Sequence, residues 1–116
     1  MKTTTRRDHQ PFVALEVSLE LIRALQDPLR ILRQHDAPLA TQITRAASSV
    51  PLNLAEGRRR AGRDRLHSFR IASGSADEVN VGLRVAEAWD WLDDSQLERP
   101  LQLGDRLLAL IWGLTR

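Results

Sequence analysis

The sequence predicts an all-α protein that folds as an antiparallel up-down four-helix bundle. Apolar residues recur every three or four positions along almost the whole chain, which is the spacing of one helix face. Strand signals are sparse, because β-branched residues are few and no Asn-Gly or Asp-Gly pair separates alternating segments. Four helical segments with short connections fit such a bundle. We expect one domain over residues 12–116, preceded by a flexible N-terminus over residues 1–11.

The first helix is expected from about Phe12 to Gln34. Its apolar stripe consists of Phe12, Leu15, Leu19, Ile22, Leu25, Leu29 and Leu32. Pro28 should bend this helix, since proline removes a backbone hydrogen bond.

The second helix should follow Asp36, a typical N-cap residue, with Pro38 tolerated in the first turn. It carries a heptad seam of Leu39, Ile43, Ala46, Val50, Asn53 and Gly57. Pro51 lies inside the seam, and Gly57 precedes an arginine-rich turn.

The third helix should open near Asp64 and carry two seams. The first seam contains Phe69, Ala72, Ala76, Val79, Leu83 and Ala86. The second contains Ile71, Ser75, Glu78, Gly82, Val85, Trp89 and Leu92. The small residues over 72–76 predict that a neighbouring helix approaches closely there.

The fourth helix should begin either at the capping-box pattern from Ser95 to Glu98 or at Pro100. A lone bundle helix needs one apolar stripe, but this helix carries two. The first is Leu97, Leu101, Leu108 and Ile111, and the second is Leu103, Leu107, Leu110 and Leu114. The second stripe therefore predicts an interface between subunits. The expected interface residues are Trp89, Leu92, Leu103, Leu107, Leu110 and Trp112.

Composition narrows the classes of function. The absence of cysteine excludes disulfides and thiolate metal sites and favours the cytoplasm. The three histidines show no metal-ligand spacing, and we expect no metal or cofactor. No apolar stretch follows the basic start at once, so no secretory signal is expected. The longest apolar run, residues 107–114, is too short to span a bilayer.

Charge is distributed unevenly, although the formal net charge is only +2. Residues 58–70 carry six arginines against Asp64, whereas residues 85–98 carry five acids and no base. Arginine bonds phosphate bidentately, so this cluster predicts binding to the backbone of RNA or DNA. The candidate residues are Arg58, Arg59, Arg60, Arg63 and Arg65. Acidic residues packed beside them would neutralise the site, and a solvated helix end is the simpler alternative.

Polar residues interrupt the seam of the second helix. Buried Asn and Glu side chains are costly unless they are paired. We expect one polar cluster between the second and third helices, which would fix helix register more than it adds stability. Its members are Arg45, Asn53, Glu56 and Glu78.

Residues 42–57, QITRAASSVPLNLAEG, resemble the signature of the four-helix-bundle proteins first noticed in intervening sequences of large-subunit ribosomal RNA genes. The matching positions are Gln42, Arg45, Ala46, Ser49, Pro51, Asn53, Ala55, Glu56 and Gly57. A second block matches at Phe69, Ala72, Gly74, Ser75 and Glu78. Leu54 stands where that family usually has isoleucine. The flanking helices extend the resemblance over about residues 12–114.

The resemblance implies a compact up-down bundle that often assembles as a homopentamer with a central channel. A related branch comprises the accessory proteins of diversity-generating retroelements, which bind a reverse transcriptase and nucleic acid. We therefore expect a homo-oligomer, with nucleic acid and a reverse transcriptase as candidate partners.

Two alternatives stay open. Glu56 and Glu78 have no histidine nearby for acid–base chemistry, but Arg30 and His35 match the Arg-x4-His pattern of helical ribonucleases of the HEPN type. A pure protein–protein scaffold is the other alternative. The favoured interpretation is a non-enzymatic, self-associating bundle that binds nucleic acid or a nucleic-acid enzyme.

Overall fold

A computed structural model describes residues 12–116, which form four α-helices and, within that range, no strand. The helices are α1 (Val13–Arg33), α2 (Ala37–Arg59), α3 (Gly62–Ala88) and α4 (Asp94–Leu114). Each helix packs against two others, so that α1, α2, α3 and α4 close into a ring. The prediction of an all-α four-helix bundle is confirmed. The predicted flexible segment over residues 1–11 lies outside the described residues.

Side-chain caps fix two of the helix starts. The Asp36 carboxylate accepts a hydrogen bond from the Leu39 amide at 2.9 Å and caps α2, as predicted. Asp93, not Ser95, caps α4, because its carboxylate accepts from the Gln96 amide at 3.1 Å while the Gln96 side chain accepts from the Asp93 amide at 2.8 Å. A charged carboxylate is the stronger acceptor at a helix N-terminus. Because α4 begins at Asp94, Pro100 lies inside the helix and not at its start.

The start of α3 also differs from the prediction. The helix begins at Gly62, whose φ of 60° lies in the left-handed region, and Asp64 lies in the first turn. Pro28 and Pro51 lie inside α1 and α2, and both helices continue past them.

The buried core follows the predicted seams closely in α2 and α3. All six residues of the first α3 seam are buried, as are Ile43, Ala46 and Val50 of the α2 seam. The second α3 seam is mostly outside the core, since Ile71, Val85 and Trp89 are exposed. Within residues 12–116, no helix is long and apolar enough to cross a membrane.

Both apolar stripes of α4 serve the bundle itself. Leu103 and Leu107 are buried in the core, and so is Leu92 in the preceding turn. These three residues are therefore unavailable to a partner, which corrects their assignment to a subunit interface. The physical reason is that α4 contacts both α1 and α3, so one broad face covers both stripes. Leu110 is half-buried, whereas Trp89 and Trp112 remain exposed.

Candidate nucleic-acid interface

One end of the bundle gathers the predicted arginines. Arg58 and Arg59 complete α2, and α3 starts again at Gly62 after a two-residue connection. Because successive helices alternate in direction, α1 begins and α4 ends at this same end. The Arg58 guanidinium lies 5.1 Å from the centroid of the Phe12 ring, in agreement with that arrangement. We call this region the arginine end; its residues are Arg58, Arg59, Arg60, Arg63 and Arg65.

Arg65 is engaged by the turn itself. Its guanidinium donates hydrogen bonds to the carbonyl oxygens of Gly57 at 3.2 Å, Arg60 at 2.8 Å and Arg58 at 3.2 Å. The last carbonyls of a helix lack partners within the helix, and a cation is favoured beside them. Arg65 therefore caps the C-terminus of α2, which leaves fewer of its N–H groups for a phosphate.

Glu56 engages two more arginines. Its carboxylate accepts a hydrogen bond from Arg59 at 3.0 Å and another from Arg60 at 2.5 Å. The bond from Arg60, followed by that from Arg59, lowers the pKa of Glu56, and Glu56 in turn raises the pKa of Arg60. Arg58 and Arg63 make no ion pair with any residue of 12–116. Of the five arginines at this end, these two are the most available to an anion.

Acidification should weaken this end of the bundle. A carboxylate whose pKa is lowered by folding stabilises the fold above its unfolded value, about 4.3 for glutamate. That contribution is lost as the pH falls through the lowered folded pKa of Glu56. Thermal melts below about pH 4.3 should therefore show a smaller loss of stability for Glu56→Gln than for the parent. Equal losses in the two proteins would contradict a stabilising role for the Glu56 ion pairs.

The acidic segment lies at the opposite end. The 27 residues of α3 place about 40 Å between the arginine end and the turn after Ala88. Asp90, Asp93 and Asp94 belong to that turn or to the first turn of α4. Within one chain they do not neutralise the arginine end.

Aromatic rings occupy this acidic end. Trp91 is stacked on His35 with 5.9 Å between ring centroids, and on Trp89 with 5.6 Å. Trp91 reaches that position because Asp90, in the turn after α3, adopts a φ of 61°, and the Trp91 amide donates a hydrogen bond back to the Ala86 carbonyl. The His35 ring thus packs against Trp91, while the Arg30 guanidinium is paired with the Asp27 carboxylate at 2.6 Å. The two candidate ribonuclease residues have separate partners.

The chain matches a known protein family over most of its length. The family described as 23S rRNA-intervening sequence protein matches residues 14–113. The chain belongs to this family. The resemblance noted in the two sequence blocks is therefore confirmed.

A solved structure supports the same fold. It is the crystal structure of a protein with unknown function from the S23 ribosomal protein family of Bacteroides thetaiotaomicron, at a TM-score of 0.80 and 20% identity. The match covers 89% of this chain and 98% of that chain. At this identity the likeness shows the fold alone. Comparison with curated proteins gave no match.

The residues of the intervening-sequence signature do not form the single polar cluster that we predicted. Glu56 bonds to Arg59 and Arg60 of its own helix region, while Arg45 and Glu78 are exposed. Arg45 and Glu78 line one open groove, but no ion pair within residues 12–116 joins them. The prediction fails because a partner three or four residues away on one helix is easier to reach than one across an interface.

Two serines supply a side-chain hydrogen bond between α2 and α3, away from the arginine end. The Ser75 hydroxyl donates to the Ser49 hydroxyl oxygen at 2.9 Å, and the Asn53 amide donates to the same oxygen at 3.0 Å. The Asn53 amide also donates to the Ser49 carbonyl at 2.9 Å. Ser49 lies in the first family block and Ser75 in the second. Their presence in these blocks was the sequence signal that could have predicted this contact. The predicted close approach is not at Gly74, where an added Cβ would meet nothing within 4 Å.

Proposed function

We propose that this protein is a non-enzymatic, self-associating bundle whose arginine end binds the phosphate backbone of nucleic acid. The observation that carries the proposal is the separation of charge along α3. Arg58 and Arg63 are exposed at one end, and the acidic segment lies about 40 Å away at the other. A polyanion approaching the arginine end therefore meets cations without competing carboxylates from that segment.

Binding of this kind is directed to the backbone and tolerates many sequences. Phosphate contacts by arginine release counterions, so affinity falls steeply as salt increases. We favour nucleic-acid binding over the ribonuclease alternative, because Arg30 pairs with Asp27 and the His35 ring stacks on Trp91. The family resemblance adds a reverse transcriptase as the protein partner to test once nucleic-acid binding has been measured.

The decisive experiment pairs two charge-matched variants. Arg58→Ser/Arg63→Ser removes the two available arginines, whereas Arg23→Ser/Arg106→Ser removes two exposed arginines from the sides of the bundle. Fluorescence anisotropy with labelled RNA between about 50 and 200 mM salt should show weaker binding and a shallower salt dependence for the first variant only. Failure of the parent protein to bind at low salt, or equal losses in both variants, would refute the proposed site.

Self-association is supported by large apolar side chains left outside the core. Leu52 on α2 is 69% exposed, and Val81 on α3 is 54% exposed. Such surface on a small protein is typical of an interface. Light scattering should give a multiple of the 13.1 kDa chain, five by family resemblance. A mass of one chain at micromolar concentration would contradict this part of the proposal.

A further inference from the structure

The arginine end also carries an aromatic ring. Trp112 lies in the last turn of α4, which ends at Leu114, and its side chain is 61% exposed. Because α4 ends where α3 begins, this ring shares an end of the bundle with Arg58 and Arg63. The sequence places Trp112 more than 40 residues from the arginine cluster, so only the topology brings them together.

The face of this ring already accepts a planar cation. The guanidinium carbon of Arg116 lies 4.5 Å from the Trp112 ring centroid. A guanidinium and a nucleobase are both flat groups that stack on an indole face, and arginine beside an aromatic ring is a common arrangement in sites for single strands. The two phenylalanines at this end are less accessible, since Phe69 is buried and Phe12 is half-buried beneath Arg58.

We infer that Trp112 is a stacking platform for an unpaired base, so that the arginine end prefers single-stranded to double-stranded nucleic acid. The inference rests on the proposed function and names the ligand class of that same site. In a duplex the bases are stacked on each other, and their faces are not available to a side chain. In a single strand, Arg58 and Arg63 can hold phosphates while a base of the same strand lies on the indole.

The other exposed tryptophan provides a matched control. Trp89 is exposed to a similar degree, but it lies at the acidic end and is stacked on Trp91. Trp112→Leu and Trp89→Leu therefore make the same chemical change at opposite ends of the bundle. Trp112→Phe keeps a ring for stacking and should retain most of the affinity.

The test uses the full-length chain with a labelled single-stranded RNA of mixed sequence and a duplex RNA of equal length. Trp112→Leu should weaken single-strand binding about tenfold, as expected for one lost base–aromatic stack. It should leave duplex binding and the salt dependence of both unchanged, because no phosphate contact is removed. Trp89→Leu should change neither the single-strand affinity nor the duplex affinity. Only Trp112→Leu should abolish the quenching of tryptophan fluorescence by single-stranded RNA.

Each contrary result has a distinct meaning. Equal losses for single-stranded and duplex RNA, or no loss for either, would overturn the stacking role while leaving backbone binding in place. A drop in oligomer mass for Trp112→Leu by light scattering would assign the residue to a subunit interface instead. No binding of either RNA by the parent protein would refute the proposed function itself.

Discussion

Replacing Gly104 by alanine should destabilise the protein by about 1–3 kcal/mol, the usual cost of inserting a methyl group into a packed interior. A Cβ at this position of α4 would lie 2.0 Å from Oδ1 and 2.9 Å from Cγ of Asn80 on α3. Asn80 is 8% exposed, and its amide donates to an Asp105 carboxylate oxygen at 3.2 Å. The methyl group must displace this side chain or separate the two helices. Thermal or denaturant unfolding of the purified variant would measure the loss.

Two further variants make this result specific. Gly74→Ala is the matched control, because its Cβ would meet nothing within 4 Å and alanine is favoured over glycine inside a helix by about 1 kcal/mol. It should leave stability unchanged or raise it. Asn80→Ala removes the obstacle and also a buried carbonyl oxygen with no hydrogen-bond partner within residues 12–116. Adding Gly104→Ala to Asn80→Ala should therefore cost little, whereas simple additivity of the two changes would show that the collision is not the cause.

The fold was predictable because helical periodicity is repeated over every segment. The seam from Phe69 to Ala86 can be predicted from residue spacing alone, because all of its residues lie on one buried face of one helix. The start of α4 was harder, because Asp93 and Ser95 offer competing capping boxes two residues apart. Their relative strength depends on the turn geometry that presents each side chain.

The site was less predictable for a different reason. The arginine cluster is visible in the sequence, but the sequence does not say which guanidinium groups the protein itself uses. Arg65 is engaged by three carbonyls of the preceding turn, and Glu56 engages two of its neighbours. Trp112 joins the arginines only through the closure of α4 against α3. The position of Trp112 beside the arginines follows from topology and leaves no local pattern, whereas the Glu56 pairs have the local spacings of three and four residues.

Gly57→Ala should lower both stability and nucleic-acid affinity. An added Cβ would lie 2.6 Å from Cε1 and 2.7 Å from Cδ1 of Phe69, which is buried. The Phe69 ring contacts the Phe12 ring, with 6.4 Å between centroids, and Phe12 lies beneath Arg58. Because interiors are closely packed, displacement of Phe69 is passed to Phe12 and so to Arg58. We expect a destabilisation of about 1–3 kcal/mol together with weaker RNA binding.

Gly82→Ala separates an effect on RNA binding at the arginine end from a general loss of stability. Its Cβ would lie 2.7 Å from Cγ1 of Ile43, so the collision is about as severe as at Gly57. Gly82 lies 20 residues beyond the start of α3, however, which places it about 30 Å from the arginine end. Unfolding measurements should therefore show both variants destabilised, while anisotropy titrations at a temperature where both are folded should show weaker RNA binding only for Gly57→Ala. Equal RNA affinities in the two folded variants would mean that Phe69 and Phe12 do not position Arg58 for binding.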